Sequence, residues 1–282
     1  MNEIELHLNV KILESVIIAQ PAGYVMSRED DTYYFVPYLC WVTETPTLGT
    51  KGSMGVFLKE LPTFPSIGLT FCKHIVEALG VVHGAGFTHG ALNMSAIIIR
   101  TLTSGPSAIP KLIPQLYNFK WSVSARSQEA IYRKQGNEFD APEVATAAGP
   151  LKRPFEELLK CDVYSFGMVV VHAVARDEIE AVGSFESNPA YVSSVIAAAA
   201  SNMAKGNIGS AARNKMVKAL ENMLEADPAK RTSSLEPIAA AIQAALHDNG
   251  SSVDDMPERK DSERKHRDFF RSVADRLKRL EL

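Results

Sequence analysis

Across residues 67–83, Cys72, Ile75, Leu79 and Val82 recur at helical spacing, while Lys73 and Glu77 point elsewhere. That period predicts a long amphipathic helix. Gly84-Ala85-Gly86 supplies glycine backbone to stop it. An earlier four-residue repeat, Ile4, Leu8, Ile12 and Val16, widened by Leu6 and Leu13, predicts a helix over 4–16. Two β-like runs follow, over 22–26 and 33–36, and the charged stretch Ser27-Arg28-Glu29-Asp30-Asp31 between them predicts a hairpin. A segment rich in Thr, Gly and Pro comes next and reads as irregular. Ile97-Ile98-Ile99 reads as a short buried strand, 103–107 as a loop and 112–119 as a short strand pair.

The second half reads as helical. Residues 161–174 are apolar almost all round, which predicts a central helix buried on every side. Alanine-rich helices are expected over 191–205 and 211–226, the second stopped by Asp227-Pro228, with another over 235–246. From residue 247 the chain turns polar, with Gly250, Ser251, Ser252 and Pro257, and reads as a linker. Residues 262–282 form a basic amphipathic stretch. Its apolar face is Phe269, Phe270, Val273, Leu277 and Leu280, and Arg264, Lys265, Arg267, Arg271, Arg276, Lys278 and Arg279 make it positive.

Composition narrows the function. At 282 residues and 46% hydrophobic content, one large domain or two small ones are within reach. A net charge of −3 and a pI near 6.2 argue against an overall electrostatic nucleic-acid binder. Cys40, Cys72 and Cys161 are widely spaced and form no CxxC, so no metal centre is expected and a reducing, cytoplasmic setting is. Glu3 and Glu5 stand where a signal peptide would need basic residues. The apolar run from Gly167 to Ala175 is too short to span a bilayer and carries His172, so a core helix is expected there.

Chemistry enters with His89-Gly90-Ala91-Leu92-Asn93-Met94-Ser95-Ala96, directly after the long amphipathic helix. Four further stretches follow in order: Tyr117-Asn118-Phe119-Lys120, Phe139-Asp140-Ala141-Pro142-Glu143, Asp162-Val163-Tyr164-Ser165-Phe166-Gly167 and Asp227-Pro228-Ala229-Lys230-Arg231. Together they resemble, in sequence order, five landmarks of the protein kinases: the His-Arg-Asp catalytic loop, Asp-Phe-Gly, Ala-Pro-Glu, the start of the central helix of the large lobe, and the Asp-Pro-x-x-Arg turn. Ala-Pro-Glu alone is a weak signal; all five in order are a strong one. The resemblance covers roughly residues 3–246 and implies an α+β protein kinase-like fold with a mainly helical large lobe. It implies a truncated small lobe of one helix and two strands over 1–38, lacking the first three strands. The large lobe would run over 39–246, the linker over 247–261 and the tail helix over 262–282.

The same resemblance assigns structural roles. Glu143 is expected to pair with Arg231. Asp162, at the start of the central helix, is expected to accept the N–H groups of His89 and Gly90, favoured also by the helix dipole. His89 is expected to pack beneath Phe119. The reacting groups are replaced. Phosphoryl transfer needs a carboxylate for the substrate hydroxyl, metal ligands, and a lysine and glycine-rich cover on the phosphates. Ala91 stands at the carboxylate position, Asn93 at the catalytic-loop lysine, Ala96 at one metal ligand and Asn118 at the other, and Lys120 replaces the glycine after Phe119. Glu5 stands near the place of the small-lobe glutamate, with no partner lysine in the chain.

Leu48-Gly49-Thr50-Lys51-Gly52-Ser53-Met54-Gly55 imitates a phosphate loop. It lies too close to the helix leading to His89 for the intervening strands, and Gly52-Ser53-Met54-x-x-Phe57-Leu58 instead resembles the post-hinge segment of tyrosine-kinase-like proteins. Lys120 reads first as a solvated loop residue rather than a phosphate ligand. Residues 118–143 hold Ser122, Ser124, Ser127 and Tyr132 and read first as an exposed polar loop, with a phosphorylation switch as the sharper reading. His83 and His172 read as ordinary packing or surface residues. The expected function is a catalytically inactive kinase-like domain, a pseudokinase, that binds no cofactor and acts as a scaffold or allosteric regulator. An active kinase is the natural protein partner, and the tail offers a docking helix for a protein or an anionic membrane surface. The alternative is residual nucleotide binding or an atypical phosphotransferase.

Overall fold

A computed structural model describes residues 23–29, 32–38, 53–59, 65–102, 111–127, 131–132, 135–149, 151–180, 182 and 190–248. The expected helix over 4–16, the loop over 103–107 and the tail over 262–282 lie outside them.

The hairpin forms as β1 (Gly23–Glu29) and β2 (Thr32–Tyr38), antiparallel with Val25 opposite Val36. Its strands run on through Ser27, Arg28 and Glu29, which the charge pattern assigns to the turn. The Thr/Gly/Pro-rich segment is not wholly irregular, since α1 (Met54–Lys59) forms within it. There a Cβ on Gly55 would lie 3.2 Å from Met94 Cβ, so that glycine serves close packing.

The large body is built on two long helices. Helix α2 (Pro65–Gly84) buries Leu69, Cys72, Ile75, Leu79 and Val82 along the predicted face. Helix α4 (Phe155–Glu180) is the buried centre, starting six residues earlier and ending six later than expected. Val163, Tyr164, Phe166, Met168 and Val169 are all fully buried in it. The two helices cross backbone to backbone, because a Cβ on Gly68 would come within 2.1 Å of the Ala173 carbonyl oxygen. Both are long and apolar enough to cross a membrane, against the expectation for α4. Yet 83% of the apolar window in α4 is buried inside the protein, as in a core helix.

At Ala175 the α4 backbone leaves helical geometry (φ −135°, ψ 32°). Two neighbours bind beside the kink: Asn202 Nδ2 donates to the Val174 carbonyl, and Arg176 donates to the Leu58 carbonyl, tying α1 down.

Around this centre, β3 (Ile97–Leu102) pairs antiparallel with β4 (Lys111–Leu116), so the strand pair expected over 112–119 is one strand whose partner is β3. Short β5 (Ile131–Tyr132) pairs with β6 (Leu151–Lys152), and α3 (Pro142–Ala145) lies between them. Helix α5 (Tyr191–Lys205) matches its predicted bounds, α6 (Ser210–Met223) stops short of Asp227, and α7 (Glu236–Asp248) carries the helix two residues into the expected linker.

Candidate functional site

Asp162 is fully buried and organises the centre of the site. Its Oδ2 accepts the His89 N–H at 2.6 Å and its Oδ1 the Gly90 N–H at 3.0 Å. The expected contacts are therefore present, but the dipole argument fails. Asp162 sits seven residues after the first residue of α4, and dipole stabilisation fades within the first turn. The carboxylate has instead a side-chain partner that the sequence pattern does not signal: His83, at the end of α2, places Nε2 3.0 Å from Asp162 Oδ2. Burial pushes the Asp162 carboxyl upward. The His83 contact, the nearby His89 and the Gly90 N–H outweigh it and hold the group below its ordinary range.

His89 is likewise fully buried, its ring centroid 4.7 Å from that of Phe119, as expected. Its Nε2 lies 3.0 Å from the Tyr117 carbonyl oxygen and its Nδ1 accepts the Ala91 N–H at 3.3 Å. This pattern needs a neutral ring with the proton on Nε2. Burial lowers its pKa to about 4, against a partial upward pull from Asp162.

Gly90 explains why this loop packs so closely. Its φ is +79°, and a Cβ there would lie 2.0 Å from the Trp121 carbonyl oxygen. Alongside, Thr88 N–H donates to the Val123 carbonyl, Val123 N–H donates to Thr88 Oγ1, and Ser122 Oγ donates to the Thr88 carbonyl. Ser122 and Ser124 are therefore buried, contrary to the exposed loop expected of them. Ser127 is only partly buried, and the side chain of Tyr132 lies outside the described residues.

The five positions singled out in the sequence differ in their surroundings. Ala91 and Ala96 are buried methyls in the loop. Asn118 (φ +64°) and Lys120 are exposed, with Lys120 Nζ 5.0 Å above the Trp121 ring. Asn93 shapes the backbone around it. Its Oδ1 accepts the N–H groups of Ser95 and Ala96 at 2.8 and 3.0 Å, capping the 3-10 turn Met94–Ala96. Its Nδ2 donates to Gln135 Oε1 at 2.6 Å.

Glu143 and Arg231 meet as expected, through two parallel bonds of 2.7 and 2.9 Å. The Asp227 turn delivers Arg231, whose Nε also donates to the Glu225 carbonyl. Burial raises the Glu143 carboxyl, and Arg231 more than reverses this, leaving it below the usual range. A second junction also escapes the sequence pattern. Glu138 places Oε1 3.1 Å from His172 Nε2 and accepts the Tyr191 hydroxyl on Oε2 at 2.6 Å. No sequence spacing signals either histidine contact, since the partners come from distant elements. Among the described residues no cluster of His, Cys, Asp and Glu could hold a metal ion.

No protein-family model matches the chain, and no curated protein is similar enough to match it. Solved structures do. The crystal structure of the Rad53 kinase domain and SCD2 aligns with a TM-score of 0.50 at 16% identity, covering 86% of this chain and 74% of the other. The chain has a protein kinase-like fold. The same Rad53 unit in complex with AMPPNP gives a TM-score of 0.49 at 16% identity, over 91% of this chain and 81% of that one. Asp162 ties the loop that carries Ala91, Asn93 and Ala96 to α4, and the Glu143–Arg231 pair ties α3 to the turn after α6.

Proposed function

We propose that this chain is a catalytically inactive kinase-like domain that works by binding other proteins, as a scaffold or allosteric regulator. The observation that carries this reading is the pairing of an intact anchor with an inert loop. Asp162 holds the loop through two N–H groups, while the loop presents the buried methyls of Ala91 and Ala96 where the chemistry needs a carboxylate and a metal ligand. A methyl neither takes a proton nor binds magnesium. Asn118 brings a neutral amide where hard divalent cations favour charged oxygen ligands.

The small lobe in this reading is reduced to a helix and the β1–β2 hairpin, and the large lobe is of the tyrosine-kinase-like type. An active kinase is the natural partner class, met in the reducing cytoplasm that cysteine usage favours. A thermal-shift titration with ATP, with and without magnesium, tests the claim. No shift is expected in either case, and a magnesium-dependent rise in Tm would favour the alternative of residual nucleotide binding and overturn the inert cleft. Affinity capture with the full chain and with a chain ending at residue 261 tests whether the basic tail contributes to partner binding.

A further inference from the structure

We infer that the segment before α3 and the degenerate loop are latched into one unit by a hydrogen-bond relay running from Asp140 through Gln135 and Asn93. Asp140 is buried. Its carboxylate accepts the N–H of Gln135 at 2.9 Å, that of Gly136 at 2.7 Å and that of Asn137 at 3.4 Å. Three backbone donors on one carboxylate fix residues 135–137 as a tight loop, with Gly136 at φ +76°. The loop aims the Gln135 side chain at Asn93, and the 2.6 Å bond between them joins the two segments. Asn93 then passes the restraint on, because the oxygen of the same amide caps Ser95 and Ala96, and β3 begins at the next residue.

Each member of the relay commits its polar group to the next. Asn93 stands at the catalytic-loop lysine position, yet its amide is divided between Gln135 and the 3-10 turn. Gln135 Nε2 is buried and has no hydrogen-bond partner among the described residues, so Oε1 carries the link. The relay is built from side chains and backbone of this chain alone. A protein that grips residues 135–140 therefore also stiffens the loop at residues 93–96, whether or not the cleft retains nucleotide. Two surfaces become one responsive element, consistent with coupling through a contiguous bonded path.

Amide hydrogen exchange on the full chain tests this. Gln135→Met removes the acceptor and nearly keeps the side-chain length. It is expected to speed exchange at Ser95 and Ala96 about fivefold, the effect of losing one ordinary hydrogen bond. Asp140→Ala is expected to speed exchange at residues 135–137 more strongly, and at Ser95 and Ala96 as well. The double variant is expected to be no faster at residues 95–96 than Gln135→Met alone, as residues acting in series require. Wild-type exchange at residues 95–96 in a folded Asp140→Ala protein overturns the latch. Should Asp140→Ala lose its near-UV circular dichroism, Gln135→Met decides alone, and unchanged exchange at Ser95 and Ala96 overturns the proposal.

Discussion

The Nδ1 atom of His89 accepts the N–H of Ala91 at 3.3 Å, so the residue that opens the loop also fixes its turn. A doubly protonated ring cannot accept that bond. His89 has a folded pKa of about 4 against an ordinary 6.5, so between those values the unfolded chain binds the extra proton. Stability should therefore fall as pH drops from about 6.5 to about 4, by roughly 3 kcal/mol from this group. The depressed Asp162 carboxyl acts in the same sense at lower pH, since its contribution is present above the unfolded value and lost as pH falls through the folded one. Urea unfolding at pH 7.5, 6 and 5 measures the slope, and His89→Asn should flatten it.

His83→Ala should destabilise the protein by about 1–3 kcal/mol, since it strips a buried carboxylate of a hydrogen-bond partner. His83→Gln can retain a donor toward Asp162 and should recover part of the loss. Chemical denaturation of the three proteins at pH 7 makes the comparison.

Glu143→Ala leaves the buried Arg231 guanidinium without its carboxylate and should cost about 3–5 kcal/mol. Glu143→Gln keeps the shape and one acceptor and should cost less. Equal losses in the two variants would mean that charge rather than packing dominates at this contact.

On the proposed reading, Ala91→Asp supplies a carboxylate to the loop without restoring chemistry. The position is buried, so the carboxylate should lower stability by about 1–3 kcal/mol. Phosphotransfer should stay undetectable even with Ala96→Asn and Asn118→Asp added. Radiolabelled ATP with a general protein substrate provides the measurement, and turnover by the triple variant would count against a cleft that is inert beyond those three positions.

Gly68→Ala should be destabilising despite the better helix propensity of alanine. The propensity gain is about 1 kcal/mol. The new methyl must push the Ala173 carbonyl aside, and overpacking of this kind costs about 1–3 kcal/mol or more. A lower Tm is expected, with α2 and α4 forced apart.

Much of this architecture is legible in the chain. The motif around Asp162 places the central helix, and the apolar period of Cys72, Ile75, Leu79 and Val82 gives the buried face of α2. The bounds of α5 follow directly from its pattern. The start of α4 is missed because Phe155–Lys160 is mixed in polarity, although Glu156 and Glu157 in its first turn are a helix-start signal. Helix α1 is missed because Gly52 and Gly55 read as loop residues, whereas Gly55 is small for the sake of Met94. The site contacts that escape the sequence are His83–Asp162, Glu138–His172 and Asn93–Gln135. Each joins residues more than thirty positions apart through side chains with no periodic signature, so only the folded chain brings them together.

Gly90 ranks the loop's positions by how freely they can change. The Trp121 carbonyl occupies the space where any other residue's first side-chain carbon would go, and the backbone there is one that L-residues resist. A side chain at residue 90 thus damages the fold whatever function the loop serves. The position is closed from both sides, and a designer reshaping this loop would have to rebuild residues 121–122 before touching residue 90.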